Sequence, residues 1–173
     1  VLGGGQLGRM LGVAAARLDI RFTALDPTTD CPAAATAAEH ITASFDDYEE
    51  VIRAGRQAEA VTVEIEHVNT DALRALAGEG IAVHPGADEL EIIKDKLRQR
   101  RAFEAAGVPG PEFAELPEQE SAASSPSKAT GGRTPASDKR WDAVTAFGLP
   151  AVQKLRWGGY DGRGVVVLGR DAG

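Results

Sequence analysis

Leu7, Met10, Leu11, Ala14 and Leu18 recur at steps of three and four residues, the spacing that places apolar side chains on one stripe of a helix. Directly afterwards Ile20, Phe22 and Ala24 alternate with other residues, as strand positions do. The switch then repeats. Asp46 or Asp47 can cap a helix carrying Val51 and Ile52, and Val61, Val63 and Ile65 follow at a spacing of two. Asn69 or Thr70 can cap a short helix with Leu73 and Leu76, followed by a strand at Ile81 to Val83 and a long helix from about Ala87 to Ala106. Gly107 and Pro109 stop that helix.

Strands alternating with helices need crossover connections, which favour a parallel, doubly wound α/β sheet over a sandwich or a bundle. Residues 1–107 are therefore expected to form one Rossmann-like domain. Residues 108–140 read as a linker. Within it, Glu118 to Asp138 is rich in Ser, Pro, Ala, Thr and Gly, with too few large apolar groups to offset the entropy of ordering, so a flexible insertion is expected there. Residues 141–173 begin a second domain, with a short helix at Trp141 to Phe147 and strands at Leu149 to Arg156 and Val165 to Leu168. The chain opens at Val1 on glycines that would normally follow a complete strand, and closes at Gly173 soon after an apolar run; it reads as a fragment.

Composition narrows the function classes. Twenty-six acidic against 19 basic side chains give a net charge of −7. That charge opposes general attraction to nucleic acid or to an anionic membrane, so any bound anion must be met by a local cluster. No apolar run is long enough to span a bilayer, and Cys31, the only cysteine, has no internal disulfide partner. The default reading is a cytoplasmic protein; a leader upstream of Val1 would make a plastid the alternative.

Four places could carry chemistry. Gly3, Gly5 and Gly8 match G-x-G-x-x-G at the opening of a helix, where small residues let a phosphate approach backbone N–H groups. Asp26, at the end of the next strand, stands where a ribose-binding acid would. A dinucleotide site is one reading, and a steric need for glycine in a tight turn is the other. Glu64 and Glu66 lie two apart at the expected carboxyl end of a strand, which would put both carboxylates on one face. They suit a ligand with hydroxyl or amino donors, a basic neighbour or a metal; His67 beside them reads as structural. Lys94, Arg98 and Arg101 would share one face of the long helix, with Lys96 and Arg100 on another, which by itself is an ordinary solvated surface.

The fourth place is AVQKLRWGGYDGRGVVVL. Lys154 falls near the end of one strand, and Gly158, Gly159, Gly162 and Gly164 fall in the connection to the next. This connection exceeds what a hairpin needs. It fits a loop that folds over a polyphosphate and offers N–H groups to its oxygens while the lysine supplies a point charge.

Taken in order, GGGQLGRM at 3–10, EIEHV at 64–68, DKLRQRRAFEAAGVP at 95–109 and Lys154 with GGYDGRG at 158–164 resemble the N5-carboxyaminoimidazole ribonucleotide synthases, ATP-grasp enzymes of purine biosynthesis. The resemblance covers nearly the whole chain outside the insertion, and EIEHV is most similar to the fungal and plant-type versions. In those, the domain is commonly fused to a downstream mutase-type domain, and the whole is called phosphoribosylaminoimidazole carboxylase. The resemblance implies a pre-ATP-grasp domain followed by the start of an ATP-grasp domain. It implies a ligase that uses ATP, with magnesium, to carboxylate aminoimidazole ribonucleotide with bicarbonate; it also leaves room for a homodimer.

By the same resemblance, Lys96 and Lys154 match ATP-binding positions, and Gly159, Tyr160, Asp161, Gly162, Arg163, Gly164 and Val165 match the lid over the triphosphate. Val165 departs from the glutamine common in bacterial members. Gln6 and Leu7 match the ribonucleotide side, as do Glu64 and Glu66, with Glu64 preferred. The magnesium ligands are expected beyond Gly173, so residues 1–173 should hold part of both sites without turning over. A nicotinamide-dependent oxidoreductase, suggested by the glycines and Asp26, leaves Lys154 and its loop unexplained. A binding module without chemistry leaves all the ligand-directed motifs unexplained.

Overall fold

A computed structural model of the chain describes residues 1–117, 135–158 and 164–169. It falls into two compact units, Val1–Asp95 and Lys96–Gly173.

The first unit is built from α1 (Gln6–Arg17), β1 (Thr23–Asp26), a 3-10 turn (Pro32–Ala35), β2 (Glu39–Thr42), α2 (Tyr48–Gly55), β3 (Ala60–Thr62), α3 (Thr70–Gly78), β4 (Ala82–His84) and α4 (Ala87–Lys94). β1 pairs in parallel with β2, and β3 with β4. Leu2 bridges the two pairs, lying parallel to Leu25 on one side and Val63 on the other. The parallel α/β architecture expected of this region is present. β2 and the 3-10 turn carry no clear periodicity and were not foreseen.

Successive residues of β1 show why helices occupy both faces. Ala24 belongs to one buried cluster with Ala15, Phe22, Cys31 and Ala33, while Leu25 belongs to another with Val51, Leu73, Leu76 and Leu90. Neighbouring strand residues point to opposite faces, so each cluster is one side of the sheet. The caps on the second side are the expected ones. Asp47 accepts the N–H of Glu50 at 3.1 Å and Asn69 accepts that of Ala72 at 2.9 Å, each satisfying a donor that the helix start leaves open.

Four expectations need correction. The apolar stripe of α1 does not face the core: Met10 and Leu18 are 65% and 71% exposed, and the buried positions are Gly8, Gly12 and Ala15. The helix approaches so closely that a Cβ on Gly12 would lie 2.3 Å from Thr36 Oγ1, leaving room only for the small face. Ile20 is exposed, and the strand begins at Thr23. β3 stops at Thr62, followed by the single bridge at Val63, so Glu64 to Glu66 form a bend and not a strand. Finally, the helix expected from 87 to 106 is two helices, with Asp95 in extended conformation between them.

The second unit contains α5 (Lys96–Ala105), α6 (Pro135–Phe147), β5 (Ala151–Lys154) and β6 (Val165–Leu168). Gly107, at φ +67°, follows α5 in the left-handed region that ends helices. β5 and β6 form an antiparallel pair in which Lys154 lies opposite Val165. α6 begins six residues before the expected Trp141, inside the stretch read as flexible. Pro135 at its first position explains the start, since a missing N–H costs nothing there. The rest of that stretch, 118–134, lies outside the described residues.

Candidate functional site

The glycine turn is held from two sides. Asp26, at the end of β1, accepts the N–H of Gly4 on Oδ2 and that of Thr28 on Oδ1, both at 2.8 Å. Each of its oxygens accepts one backbone N–H, so Asp26 braces the turn. Below the turn sits the buried Cys31, whose Sγ lies 3.5 Å from His40 Nε2. A Cβ on Gly4 would fall 2.4 Å from that sulfur, so glycine is required there by packing.

Glu64 closes the turn from the other side. Its N–H donates to Leu2 O at 2.8 Å, which fixes the backbone where the chain leaves β3. Its carboxylate lies against the glycines: a Cβ on Gly3 would be 2.8 Å from Oε2, and one on Gly5 2.7 Å from Oε1. Gly3 also has φ +98°, a conformation that side-chain-bearing residues rarely adopt. Gln6 and Leu7 follow as exposed residues at the start of α1, which has no side-chain cap and no acid in its first turn. The structure therefore brings Glu64 against Gly3 and Gly5, immediately before Gln6 and Leu7 in the chain, at the carboxyl end of the parallel strands, the edge where open sheets of this type bind ligands. Glu66, half-buried, turns instead to His67, with Oε1 3.4 Å from Nε2.

The basic residues divide between the units. Lys94 ends α4 and donates from Nζ to Val68 O at 3.2 Å, so it shares no helix face with Arg98 and Arg101. Lys96 opens α5, and its N–H donates to the carbonyl of Arg156 at 3.0 Å. This bond ties α5 to the backbone two residues past Lys154, an exposed side chain at the end of β5. Across the hairpin, Leu155 N–H donates to Gly164 O at 2.8 Å, and Gly164 takes φ +68° before Val165 begins β6. Gly159, Tyr160, Asp161, Gly162 and Arg163 lie outside the described residues. Arg156 and Glu115 were not singled out from sequence. They pair at 2.8 Å across 41 positions, and no local pattern signals a contact of that range.

A glycine turn braced by an acid, opening a helix at the edge of a parallel sheet, defines the class: an α/β domain of Rossmann-like architecture. Residues 1–94 match the family model of the ribonucleotide synthetase preATP-grasp domain, and the chain belongs to that family. Its relatives include the N5-carboxyaminoimidazole ribonucleotide synthase of Pseudomonas aeruginosa, 36% identical over 99% of this chain and 42% of that protein. The phosphoribosylaminoimidazole carboxylase of Schizosaccharomyces pombe is 37% identical over 97% of this chain and 27% of its own length. Among solved structures, N5-carboxyaminoimidazole ribonucleotide synthetase from Thermotoga maritima aligns with TM-score 0.78 and 31% identity, over 99% of this chain and 41% of that one. The Aspergillus clavatus enzyme in complex with ADP and 5-aminoimidazole ribonucleotide aligns with TM-score 0.78 and 32% identity, over 97% and 39%. The chain thus spans about two-fifths of the bacterial relatives and about a quarter of the fungal one. No helix among the described residues is long and apolar enough to cross a membrane.

Proposed function

We propose that the protein to which these residues belong carboxylates 5-aminoimidazole ribonucleotide with bicarbonate at the expense of ATP, as a carbon–nitrogen ligase of purine biosynthesis. The observation that carries this reading is the carboxylate of Glu64 seated against Gly3 and Gly5, at the turn that opens α1. An acceptor there suits a ligand that brings amino or hydroxyl donors, and the Aspergillus clavatus relative was crystallised with such a ribonucleotide. The nicotinamide alternative leaves Lys154 and the glycine-rich connection that follows it without a role.

In this reading ATP phosphorylates bicarbonate, and the exocyclic amine takes the carboxyl group from the resulting carboxyphosphate, releasing phosphate; ADP leaves as the other product. Carboxyphosphate hydrolyses readily, so the two ligands must be held together with water excluded. Gln6, Leu7, Glu64 and Glu66 serve the ribonucleotide. Lys96 and Lys154 supply charge to the phosphates of ATP, aided by backbone N–H groups of residues 159–165. Among the described residues there is no group of three or more His, Cys, Asp or Glu that could hold a metal ion. In this reading the chain, which spans about two-fifths of the bacterial relatives, holds part of each site. The greater length of the plant and fungal relatives supports a fused mutase-type domain in a protein of that kind, and assembly as a homodimer belongs to the same reading. The reading places the enzyme in the cytoplasm, or in the plastid where a leader directs it there.

Two substitutions in the full-length protein test the assignment. Lys154→Ala removes a charge-assisted contact to an anion, and apparent affinity for ATP should fall by roughly ten- to a hundredfold. Glu64→Ala should weaken use of the ribonucleotide and leave the KM for ATP nearly unchanged. Steady-state kinetics with each substrate varied in turn decides the matter: ATP kinetics intact in Lys154→Ala, or an ATP defect alone in Glu64→Ala, would overturn it.

A further inference from the structure

We propose that Glu115 is a positioning residue for ATP, acting through Arg156 to hold Lys96 and Lys154 at fixed separation; this rests on the reading of those lysines given above. Glu115 lies in the irregular segment after α5 and receives one guanidinium on each carboxylate oxygen. Arg101 Nη2, from α5, donates to Oε2 at 3.1 Å, and Arg156 Nη1 donates to Oε1 at 2.8 Å. Arg156 is held in two further ways. Its guanidinium carbon lies 4.4 Å from the ring centroid of Trp157, and its carbonyl accepts the N–H of Lys96.

The result is a closed circuit: α5 to Glu115 through Arg101, Glu115 to the end of β5 through Arg156, and back to the first residue of α5 through a main-chain bond. Lys96 and Lys154 sit on its two arms. Glu115 is 45% exposed and Arg101 60% exposed, and ion pairs this wet add little to folding. Their effect is geometric. Two lysines on long, flexible side chains hold one anion more tightly when their backbones are fixed beforehand, because less ordering remains to be done on binding. Glu115 also occupies both guanidinium groups, which keeps Arg101 and Arg156 from acting as competing anion sites.

The test compares full-length wild type with Glu115→Gln and Arg101→Gln, measuring KM for ATP, KM for the ribonucleotide, kcat and Tm, with Lys154→Ala alongside. Arg101→Gln opens the circuit at its bond to Glu115, and Glu115→Gln weakens both of the bonds that Glu115 makes. Both should raise the KM for ATP about fivefold, the loss of one surface pair at the upper end of its usual worth. The kcat, the ribonucleotide KM and Tm should stay at their wild-type values, which separates positioning from a general structural role. The double variant Glu115→Gln/Arg156→Gln should be no worse than Glu115→Gln alone, since both act at one link. An unchanged KM for ATP in Glu115→Gln while Lys154→Ala raises it would overturn this inference alone. A lowered KM, meaning that the freed guanidinium groups attract ATP, would overturn it equally. A neutral Lys154→Ala would bring down the underlying reading and this inference with it.

Discussion

Leu25, Leu73, Leu76 and Leu90 of the first unit are less than 2% exposed or nearly so, whereas Val152, Val166 and Val167 of the second are between 52% and 73% exposed. Among the described residues of the second unit, Val144 is the single buried hydrophobic side chain, and α5 buries none. Burial of apolar area is the main favourable term in folding, so the first unit contains its own source of stability and the β5–β6 hairpin does not. The difference bears on function. In the first unit the glycine turn rests on a packed sheet, while among the described residues of the second the charged side chains are held by hydrogen bonds and ion pairs between elements that share little core.

The largest effect expected from this contrast is in the core of the first unit. Leu73→Ala deletes a fully buried side chain and should cost about 2–5 kcal/mol. Val167→Ala, on the exposed hairpin, should change stability by no more than about 0.5 kcal/mol. Urea titration of residues 1–173 followed by circular dichroism checks both. Equal costs at the two positions would mean that the units share one core, and the comparison would fail.

A smaller effect tests α1, where the sequence pattern and the packing disagree. Leu7, Met10 and Leu11 have the spacing of a buried stripe, yet Gly8, Gly12 and Ala15 are the buried positions. Gly12→Ala should cost about 1–3 kcal/mol, because the new methyl group meets Thr36 and the helix must move away. Met10→Gln should be tolerated within about 0.5 kcal/mol. The same denaturation measurement decides, and a reversed order would restore the larger side chains as the inner face.

This disagreement marks where sequence stopped being informative. Periodicity reports which residues are apolar, not which face approaches a neighbour, and a close helix–sheet contact selects small side chains that the eye discounts. The α2 and α3 segments were legible because their apolar stripes and their caps, Asp47 and Asn69, point to the same answer. The break at Asp95 was not, since the apolar and basic spacing runs on across it. At the site, the glycine turn and Glu64 were found by composition and spacing, although Glu64 reaches the turn from a bend and not along a strand. The role of Asp26 as a brace, and the meeting of Glu115 with Arg156, depend on contacts between distant positions, which no local window contains.

The smallest expected effect concerns the surface of the first unit. Arg56, which follows α2, grips Glu79, which follows α3, through two bonds, Nε to Oε2 at 2.8 Å and Nη2 to Oε1 at 2.7 Å. The hydrogen bond and charge of Arg56 hold the Glu79 carboxyl below its ordinary value of 4.5. A carboxylate whose folded pKa is depressed adds stability above its unfolded pKa and loses it as pH falls through the folded one. Both side chains are exposed, so solvent screens the pair and the gain is slight. Arg56→Gln should therefore lower Tm slightly near neutral pH, and the gap to wild type should close as pH drops below 4.5. Tm measured across that range, at low and high salt, checks the sign. A gap that persisted in acid would show that Arg56 acts through the packing of its alkyl chain, and the second bond to Glu79 would then contribute nothing to holding α2 against α3.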